Sequence, residues 1–201
     1  HVNANSFIQD DKSIGSVTIF RDITQEKKNQ ARIEHLAYYD ALTDLPNRKL
    51  LLNRLSLALK ESTRSFEFGG LLFIDLDNFK TLNDTYGHDM GDKLLQEVAL
   101  RLQSQLRTCD TVARFGGDEF VILITKLGND EAKAKDELYK IGQKLLQAIV
   151  IPYHFVTVDY GFTASIGGTL FLDDTKTVDD ILKNADAAMY RSKQNGRNAL
   201  C

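Results

Sequence analysis

Apolar and polar positions along residues 40–200 are grouped in a way that predicts strands separated by amphipathic helices. The run at 71–74 has no polar residue and follows two glycines, which is typical of a strand buried on both faces. Over residues 89–106 the apolar positions recur at helical spacing and predict one buried face. That face consists of Leu94, Leu95, Val98, Ala99, Leu102 and Leu106.

A Gly-Gly pair flanked by two apolar runs predicts a β-hairpin with a tight turn. A loop is expected around Asn83, Asp84 and Gly87, and a carboxyl-terminal helix is expected to end at Asn195. The resulting order indicates an α+β fold, with helices packed over a mainly antiparallel sheet. The remaining predicted strands are 111–115, 120–124, a strand around 155 and 162–171, and the remaining helices are 48–62, 131–149 and 178–194.

The amino-terminal part has a different pattern. Residues 14–23 alternate like a strand, and the charged segment 25–37 lacks Gly and Pro and predicts a helix. One strand is too little to bury a core alone, so a boundary is expected near residue 25. We therefore predict the end of a preceding domain at 1–24, a helical linker at 25–37 and the main domain at 38–201. A strand that belongs to the main domain is the alternative.

Composition and charge exclude several classes of protein. With 43% hydrophobic residues, 26% charged residues and a net charge of −3, the chain is an ordinary globular sequence without a basic footprint for nucleic acid. No apolar run approaches the roughly 18 residues that cross a bilayer, so no membrane span is expected. Cys109 and Cys201 form no metal-binding spacing and suit a reducing cytoplasm.

Acidic residues lie at two strand ends. Asp75 and Asp77 end the apolar strand, and Asp118 and Glu119 follow the glycines at 116–117. A carboxylate at the end of a buried strand is costly unless it is paired or holds a metal. If the hairpin lies beside that strand, the carboxylates converge as oxygen ligands for magnesium, with phosphate oxygens completing the octahedron.

Each feature alone also has an ordinary structural explanation. An Asp after a strand is commonly a turn or helix cap, and acidic residues at a hairpin tip are commonly solvated. Glycines at a tight turn are commonly needed only for their conformation. It is the combination and order of these features that favour a site.

Five ordered motifs resemble the GGDEF-domain diguanylate cyclase family over about residues 38–200. The signature itself is in ARFGGDEFVIL at 113–123, and Asp44 stands where the family usually has Gly. The resemblance implies a palm-like, ferredoxin-related sheet of the nucleotidyl cyclase type. The other motifs are DALTDLPNR (40–48), FIDLDNFKTLNDTYGHDMGD (73–92), TASIGGTLF (163–171) and ADAAMYRSKQNGRN (185–198).

The resemblance implies an enzyme that condenses two GTP into cyclic di-GMP and two pyrophosphates, with two Mg²⁺ (or Mn²⁺) ions per GTP site. Because one domain holds one GTP, two domains are expected to face each other as a homodimer. A bacterial cytoplasmic location, within a larger sensor protein, is also implied. The main alternative is a catalytically silent module that binds GTP or cyclic di-GMP, and another nucleotidyl cyclase or polymerase-like enzyme is a further one.

The family's metal and catalytic roles fall on four positions. Asp75 and the Leu76 carbonyl are implied metal ligands, and Asp118 and Glu119 are implied ligands that also handle the attacking hydroxyl. We favour Asp118 as the proton acceptor, although the sequence leaves this choice open.

Substrate contacts are implied for a second group of residues. Asn83 and Asp92 resemble guanine-binding residues, since a carboxylate accepts from guanine N1–H and its amino group; a loop cap and a helix start are the structural alternatives. Lys80, also assigned a catalytic role, resembles a phosphate-binding cation. The other implied substrate contacts are Gly116, Gly117, Lys193 and Arg197, the last two sharing one helix face if the helical turn continues.

Two further features lie near the hairpin. Arg107 and Asp110 match the family's RxxD site, where cyclic di-GMP binds and inhibits, although residues 131–149 offer no second Arg. A turn Asp after a helix-ending Arg is the alternative. An ion pair between Asp40 and Arg114 is expected to anchor the first motif against the hairpin. Upstream, GSVTIFRDIT at 15–24 resembles the last strand and exit motif of a PAS sensor domain.

Overall fold

The computed structural model describes residues 2–9, 12–20, 22–155, 158–173 and 175–201. The chain divides into two compact units, 1–37 and 38–201. None of the helices in the described ranges is long and apolar enough to span a membrane.

The amino-terminal unit contains an antiparallel hairpin of β1 (Val2–Gln9) and β2 (Lys12–Phe20), and helix α1 (Thr24–Tyr38) begins in it. The prediction of a single strand before the helix was wrong. Segment 2–9 forms a strand because β2 pairs with its backbone groups, which requires no particular apolar pattern. Position 21, part of the predicted strand 14–23, lies outside the described residues.

A five-stranded sheet organises the second unit, and its strands lie in the order β4 (Thr111–Gly116), β5 (Glu119–Ile124), β3 (Gly69–Leu76), β8 (Ala164–Phe171) and β9 (Ala199–Leu200). The central strand β3 is buried along its whole length, as its apolar run predicted. All pairs are antiparallel except β8 with β9, which confirms the α+β class. A separate hairpin consists of β6 (Tyr153–Phe155) and β7 (Val158–Tyr160).

Alternate side chains of the sheet enter two hydrophobic cores on its opposite faces. Leu72, Ile74 and Phe120 pack with helices α4 and α5, whereas Leu71 and Phe73 pack with α2 and α6. Each of α2, α5 and α6 begins at a side-chain cap of the expected kind. The helices are α2 (Arg48–Ser65), α3 (Phe79–Tyr86), α4 (His88–Ser104), α5 (Glu131–Val150) and α6 (Val178–Gln194).

Helix α3 lies where a loop was predicted. Most of its residues are weak helix formers, but Phe79 and Leu82 are buried in the core, so tertiary packing outweighs the local preference of the segment. Asn78 and Gly87, with φ of 60° and 84°, lie on either side of the helix and separate it from the preceding strand and from α4. This segment carries Lys80 and Asn83 on a helix directly after the end of β3.

Lys193 and Arg197 do not share a helix face, because the helical turn on which that expectation depended does not continue. Helix α6 ends at Gln194, and Gly196 has φ 108°, which reverses the chain. Arg197 itself has φ 65° and lies in the turn that leads to β9.

Asp44 stands where the similar sequences usually have Gly. It has φ 58°, a left-handed conformation that Gly adopts freely and Asp tolerates.

Candidate active site

The ladder between β3 and β5 brings the two acidic segments together. Asp75 lies directly opposite Glu119 in this register. Beyond it, the Leu76 amide donates to the Asp118 carbonyl oxygen at 3.3 Å. The end of the buried strand and the hairpin turn therefore form one edge of the sheet, where carboxylates from distant stretches meet.

These carboxylates are crowded and only partly hydrated. Burial raises the pKa of Asp75, and the charges of Asp118 and Asp77 raise it further, against the lowering effect of Lys193. Burial also raises the pKa of Glu119, with added repulsion from Asp75, Asp118 and Asp186. A concentration of negative charge of this kind favours binding of cations.

Asp186 was not identified from the sequence. It lies on α6, and its negative charge acts on Glu119 although the two residues are 67 positions apart. No motif marks it, because a single Asp on a helix is normally a solvated residue.

Lys193 supplies a positive charge at the centre of the cluster. Its Nζ lies 2.7 Å from Asp75 Oδ2, with the two side chains 30% and 12% exposed. Helix α6 carries Lys193 to this point because it packs directly on β8. A Cβ at Gly167 would lie 1.9 Å from the Met189 amide nitrogen, so only glycine permits this approach.

Arg114 fixes the turn at Gly116 and Gly117, between β4 and β5, through hydrogen bonds to its backbone. Its Nε and Nη2 atoms donate to the Gly117 carbonyl oxygen at 3.0 and 2.8 Å. Its Nη1 donates to Asp40 Oδ1 at 3.0 Å, the ion pair expected from the sequence. Burial opposes the charge on Asp40, but hydrogen bonds from Thr43 and Arg114 outweigh it and lower the pKa of Asp40.

Asn83 lies on α3 with an acceptor that lacks a partner. Its Oδ1 is buried and receives no hydrogen bond, which is unusual for a polar atom in a folded protein. The atom is packed against Gly91, where a Cβ would lie 2.0 Å away. Asp92, the next residue, is exposed in the first turns of α4, and Lys80 is exposed on α3.

A family model described as the diguanylate cyclase GGDEF domain matches residues 37–199. The chain belongs to the GGDEF family. The chain is 45% identical over 166 residues to MucR of Pseudomonas aeruginosa, a bifunctional diguanylate cyclase/cyclic di-GMP phosphodiesterase. That match covers 83% of this chain but 23% of MucR, so the chain spans about a quarter of the length of this relative.

Solved GGDEF domains have the same fold. The GGDEF domain of TpbB from P. aeruginosa is 37% identical, with a TM-score of 0.74 over 81% of this chain and 92% of that one. The GGDEF domain of DgcB from Caulobacter crescentus, solved in complex with cyclic di-GMP, is 27% identical. Its TM-score is 0.73, with 82% of this chain and 94% of that chain covered.

GGDEF diguanylate cyclases generally use divalent metal ions, and the oxygen-rich edge of the sheet fits such ions. Burial and mutual repulsion disfavour the ionised forms of Asp75 and Glu119, and a bound cation would stabilise those ionised forms. In the described part of the chain, no three carboxylate, imidazole or thiol groups are arranged to hold an ion unaided. The Leu76 carbonyl and substrate phosphates would therefore have to complete the shell beside Asp75, Asp118 and Glu119.

The RxxD segment lies away from this edge, in the turn between α4 and β4. The Arg107 amide donates to Asp110 Oδ2 at 3.1 Å, which is the turn arrangement considered as the alternative. The Arg107 guanidinium instead pairs with Glu137 of α5 at 3.2 Å, with both side chains well exposed. Helix α5, in which the sequence offered no second arginine, therefore presents the acidic Glu137 to Arg107.

Proposed function

We propose that this GGDEF domain is a diguanylate cyclase, which converts two GTP into cyclic di-GMP and two pyrophosphates. The observation that carries the proposal is the meeting of Asp75 with the Asp118–Glu119 turn beside Lys193. Anionic oxygens and one lysine at a strand edge suit a metal-assisted displacement at phosphorus. A pure interaction protein would not need carboxylates held in this costly arrangement.

Guanine selection is assigned to Asn83 and Asp92. The Asn83 amide offers both a donor and an acceptor for the guanine edge; because its Oδ1 is buried against Gly91 without a donor, the amide would have to turn to pair with the 2-amino group. The Asp92 carboxylate would accept from N1–H. Adenine has no 2-amino group and an acceptor at N1, so ATP leaves both side chains unpaired at a cost of about 1–3 kcal/mol each.

Phosphate binding is assigned to Lys80, Lys193 and Arg197, with the backbone of Gly116 and Gly117 close to the triphosphate. Bound divalent cations would offset phosphate charge and make the 3′-hydroxyl of the facing nucleotide more acidic. Asp118 is the proposed acceptor of that hydroxyl proton. Glu119, opposite Asp75, is the proposed metal ligand.

The reaction requires a symmetric pair of domains. Each domain holds one GTP, and two phosphodiester bonds form between the two nucleotides, so the sites face each other across a two-fold axis. We assign the segment 25–37 as the linker that sets this pairing, and residues 1–24 as the end of a PAS-type sensor. Arg107 and Asp110 are proposed as an inhibitory site for cyclic di-GMP.

A silent, ligand-binding module is the second candidate, and MucR gives it some support. That relative carries both cyclase and phosphodiesterase activities in its name, and this chain matches 23% of it. A domain in such a protein can serve regulation alone. The two candidates differ in one respect, because a regulatory module binds GTP without turning it over.

Comparison of Asp118→Ala with Asp136→Ala tests the proposal. Asp136 is an exposed carboxylate on α5 that pairs with Lys140, so it controls for loss of charge. Asp118→Ala should lose at least about a hundredfold of turnover and retain GTP binding, whereas Asp136→Ala should match the parent chain. Equal turnover by both variants would exclude the assigned site.

A further inference from the structure

Asp77 is a buried carboxylate to which the proposed mechanism gives no role. It is 4% exposed. Its Oδ2 accepts from Thr163 Oγ1 at 2.7 Å, and its Oδ1 accepts from Ser165 Oγ at 2.8 Å. Oδ2 also accepts from the backbone amide of Asn198 at 3.1 Å, across 121 positions of sequence. A buried carboxylate that accepts several hydrogen bonds fixes the relative positions of the segments that donate them.

The segment that Asp77 holds is conformationally strained. Gly196, Arg197 and Asn198 have φ of 108°, 65° and 47°, three consecutive residues in the left-handed region. For a residue with a Cβ this conformation costs about 1–2 kcal/mol. The Arg197 amide donates to the Ser192 carbonyl at 3.1 Å, and the Asn198 amide donates to Asp77. Glycine adopts this conformation freely and asparagine tolerates it, so these two hydrogen bonds chiefly offset the cost at Arg197.

Two carboxylates at and just after the end of β3 therefore contact the segment before this turn and its last residue. Asp75 binds Lys193 in the last turn of α6, three residues before Gly196, and Asp77 binds Asn198, the last residue of the turn. The pairing of β9 with β8 then fixes the chain beyond the turn. Lys193 thus reaches the carboxylates from the end of α6, and Arg197 lies in the turn between the two segments that Asp75 and Asp77 contact.

We propose that Asp77 is a positioning residue, whose buried carboxylate holds the left-handed turn at 196–198 so that Arg197 is directed to the triphosphate. The inference rests on the proposed function, because it presumes a triphosphate at this edge. It assigns Asp77 no contact with substrate. Its effect should therefore be seen in binding of the phosphates and not in binding of the base.

The first test compares Asp77→Val with Asp77→Asn in binding of α,β-methylene-GTP and of GMP, both with Mg²⁺, by calorimetry. Valine removes every acceptor, and we expect about tenfold weaker binding of the GTP analogue with GMP affinity changed by less than about twofold. Asparagine keeps an oxygen for the Asn198 amide, and the Ser165 hydroxyl can rotate to accept from its amide group, so it should restore most of the affinity. Equal losses for both ligands would overturn the proposal.

The matched control is Ser165→Ala, which removes a donor to Asp77 but leaves the bond to Asn198. It should bind the GTP analogue like the parent chain. A double-mutant cycle then asks whether Asp77 acts through Arg197. If it does, Asp77→Val should add little to the loss caused by Arg197→Ala, whereas additive losses contradict the proposal.

Failure of the proposed function and failure of the Asp77 inference give different binding results. If the parent chain binds neither nucleotide, the proposed function itself fails; if it binds GTP and Asp77→Val does so equally well, only this inference fails. Should Asp77→Val not fold, hydrogen exchange of the unmutated chain provides the test. The Asn198 amide should exchange slowly although its residue is exposed, and exchange at the rate of an unprotected amide would overturn the proposal.

Discussion

Lys193 is a cation bound to a proposed metal ligand. At 2.7 Å from Asp75 Oδ2, its ammonium partly neutralises a carboxylate that burial and neighbouring charges disfavour. A divalent ion at this carboxylate has to compete with the lysine, and a bound triphosphate offers the lysine another partner. Metal and nucleotide should therefore bind cooperatively. The triphosphate draws Lys193 away from Asp75, and the metal replaces the positive charge that Asp75 then lacks.

Lys193→Met should separate the competition of the lysine with metal at Asp75 from its contact with the triphosphate. Without the competing ammonium, Mn²⁺ should bind the nucleotide-free chain at least about threefold more tightly, whereas the GTP analogue should bind more weakly. Electron paramagnetic resonance of free Mn²⁺ measures the first quantity and calorimetry the second. Lys183→Met, an exposed lysine on the same helix, is the control. Weaker Mn²⁺ binding in Lys193→Met would contradict this account.

Gly91 is expected to set base selectivity without touching the base. A methyl group at this position would collide with Asn83 Oδ1, so Gly91→Ala has to displace the side chain assigned to guanine. The preference for GTP over ATP should fall about tenfold, since one hydrogen bond to the base is lost. Competitive binding of the two nucleotides measures this, with Gly161→Ala, which has open space around its Cα, as the control. An unchanged preference would remove Asn83 from the base site.

At the level of elements, the hairpin turn depends on the motif before α2. Asp40 and Arg114 connect the loop at 40–47 to the Gly117 carbonyl, and the Arg114 amide also donates to the Pro46 carbonyl at 3.0 Å. The two side chains are 25% and 14% exposed, so their interaction is less screened than that of a surface pair. The position of the hairpin turn is thus tied to the start of the domain.

Asp40→Asn should destabilise the chain in a pH-dependent way. The folded pKa of Asp40 lies below its ordinary value, so its stabilising contribution is present above the unfolded pKa and is lost as pH falls through the folded one. We expect the variant to lose about 1–2 kcal/mol of unfolding free energy near pH 7. The difference from the parent chain should shrink below about pH 4. Urea unfolding across this range measures it, and a constant difference would contradict the assigned ion pair.

The sequence predicted most elements correctly because their signals are local. The uninterrupted apolar run marked β3 as a buried strand, and Asn195-Gly196 marked the end of α6. Helix α3 was missed because its stability comes from burial of Phe79 and Leu82, which no local preference reveals. Strand β9 was missed because two residues carry no periodicity.

The same distinction applies to the site. The acidic motifs were visible because they are short and contiguous, and the register of β3 with β5 then brings them together. The connection from Asp77 to Asn198 was not visible, because it joins segments 121 positions apart through a backbone amide. The Glu137 partner of Arg107 was missed for the same reason. Contacts of this kind follow from the tertiary fold alone.

At the scale of the whole molecule, the proposed chemistry requires two chains. Mixing the parent chain with Asp118→Ala at constant total protein tests this requirement. A mixed pair lacks one proton acceptor and cannot form both phosphodiester bonds, so equal amounts should give about one quarter of the parent rate. A rate of one half would show that each domain acts independently, and Asp136→Ala as the added chain should leave the rate unchanged.

The most direct test of the central claim is analysis of the products that residues 1–201 form from GTP and Mg²⁺. Chromatography should show one cyclic di-GMP and two pyrophosphates for every two GTP consumed, and no product when a chelator removes the metal. GTP bound at the site but recovered unchanged, with metal present and the protein dimeric, would contradict the claim that the carboxylates at the end of β3 and in the hairpin turn form a catalytic centre.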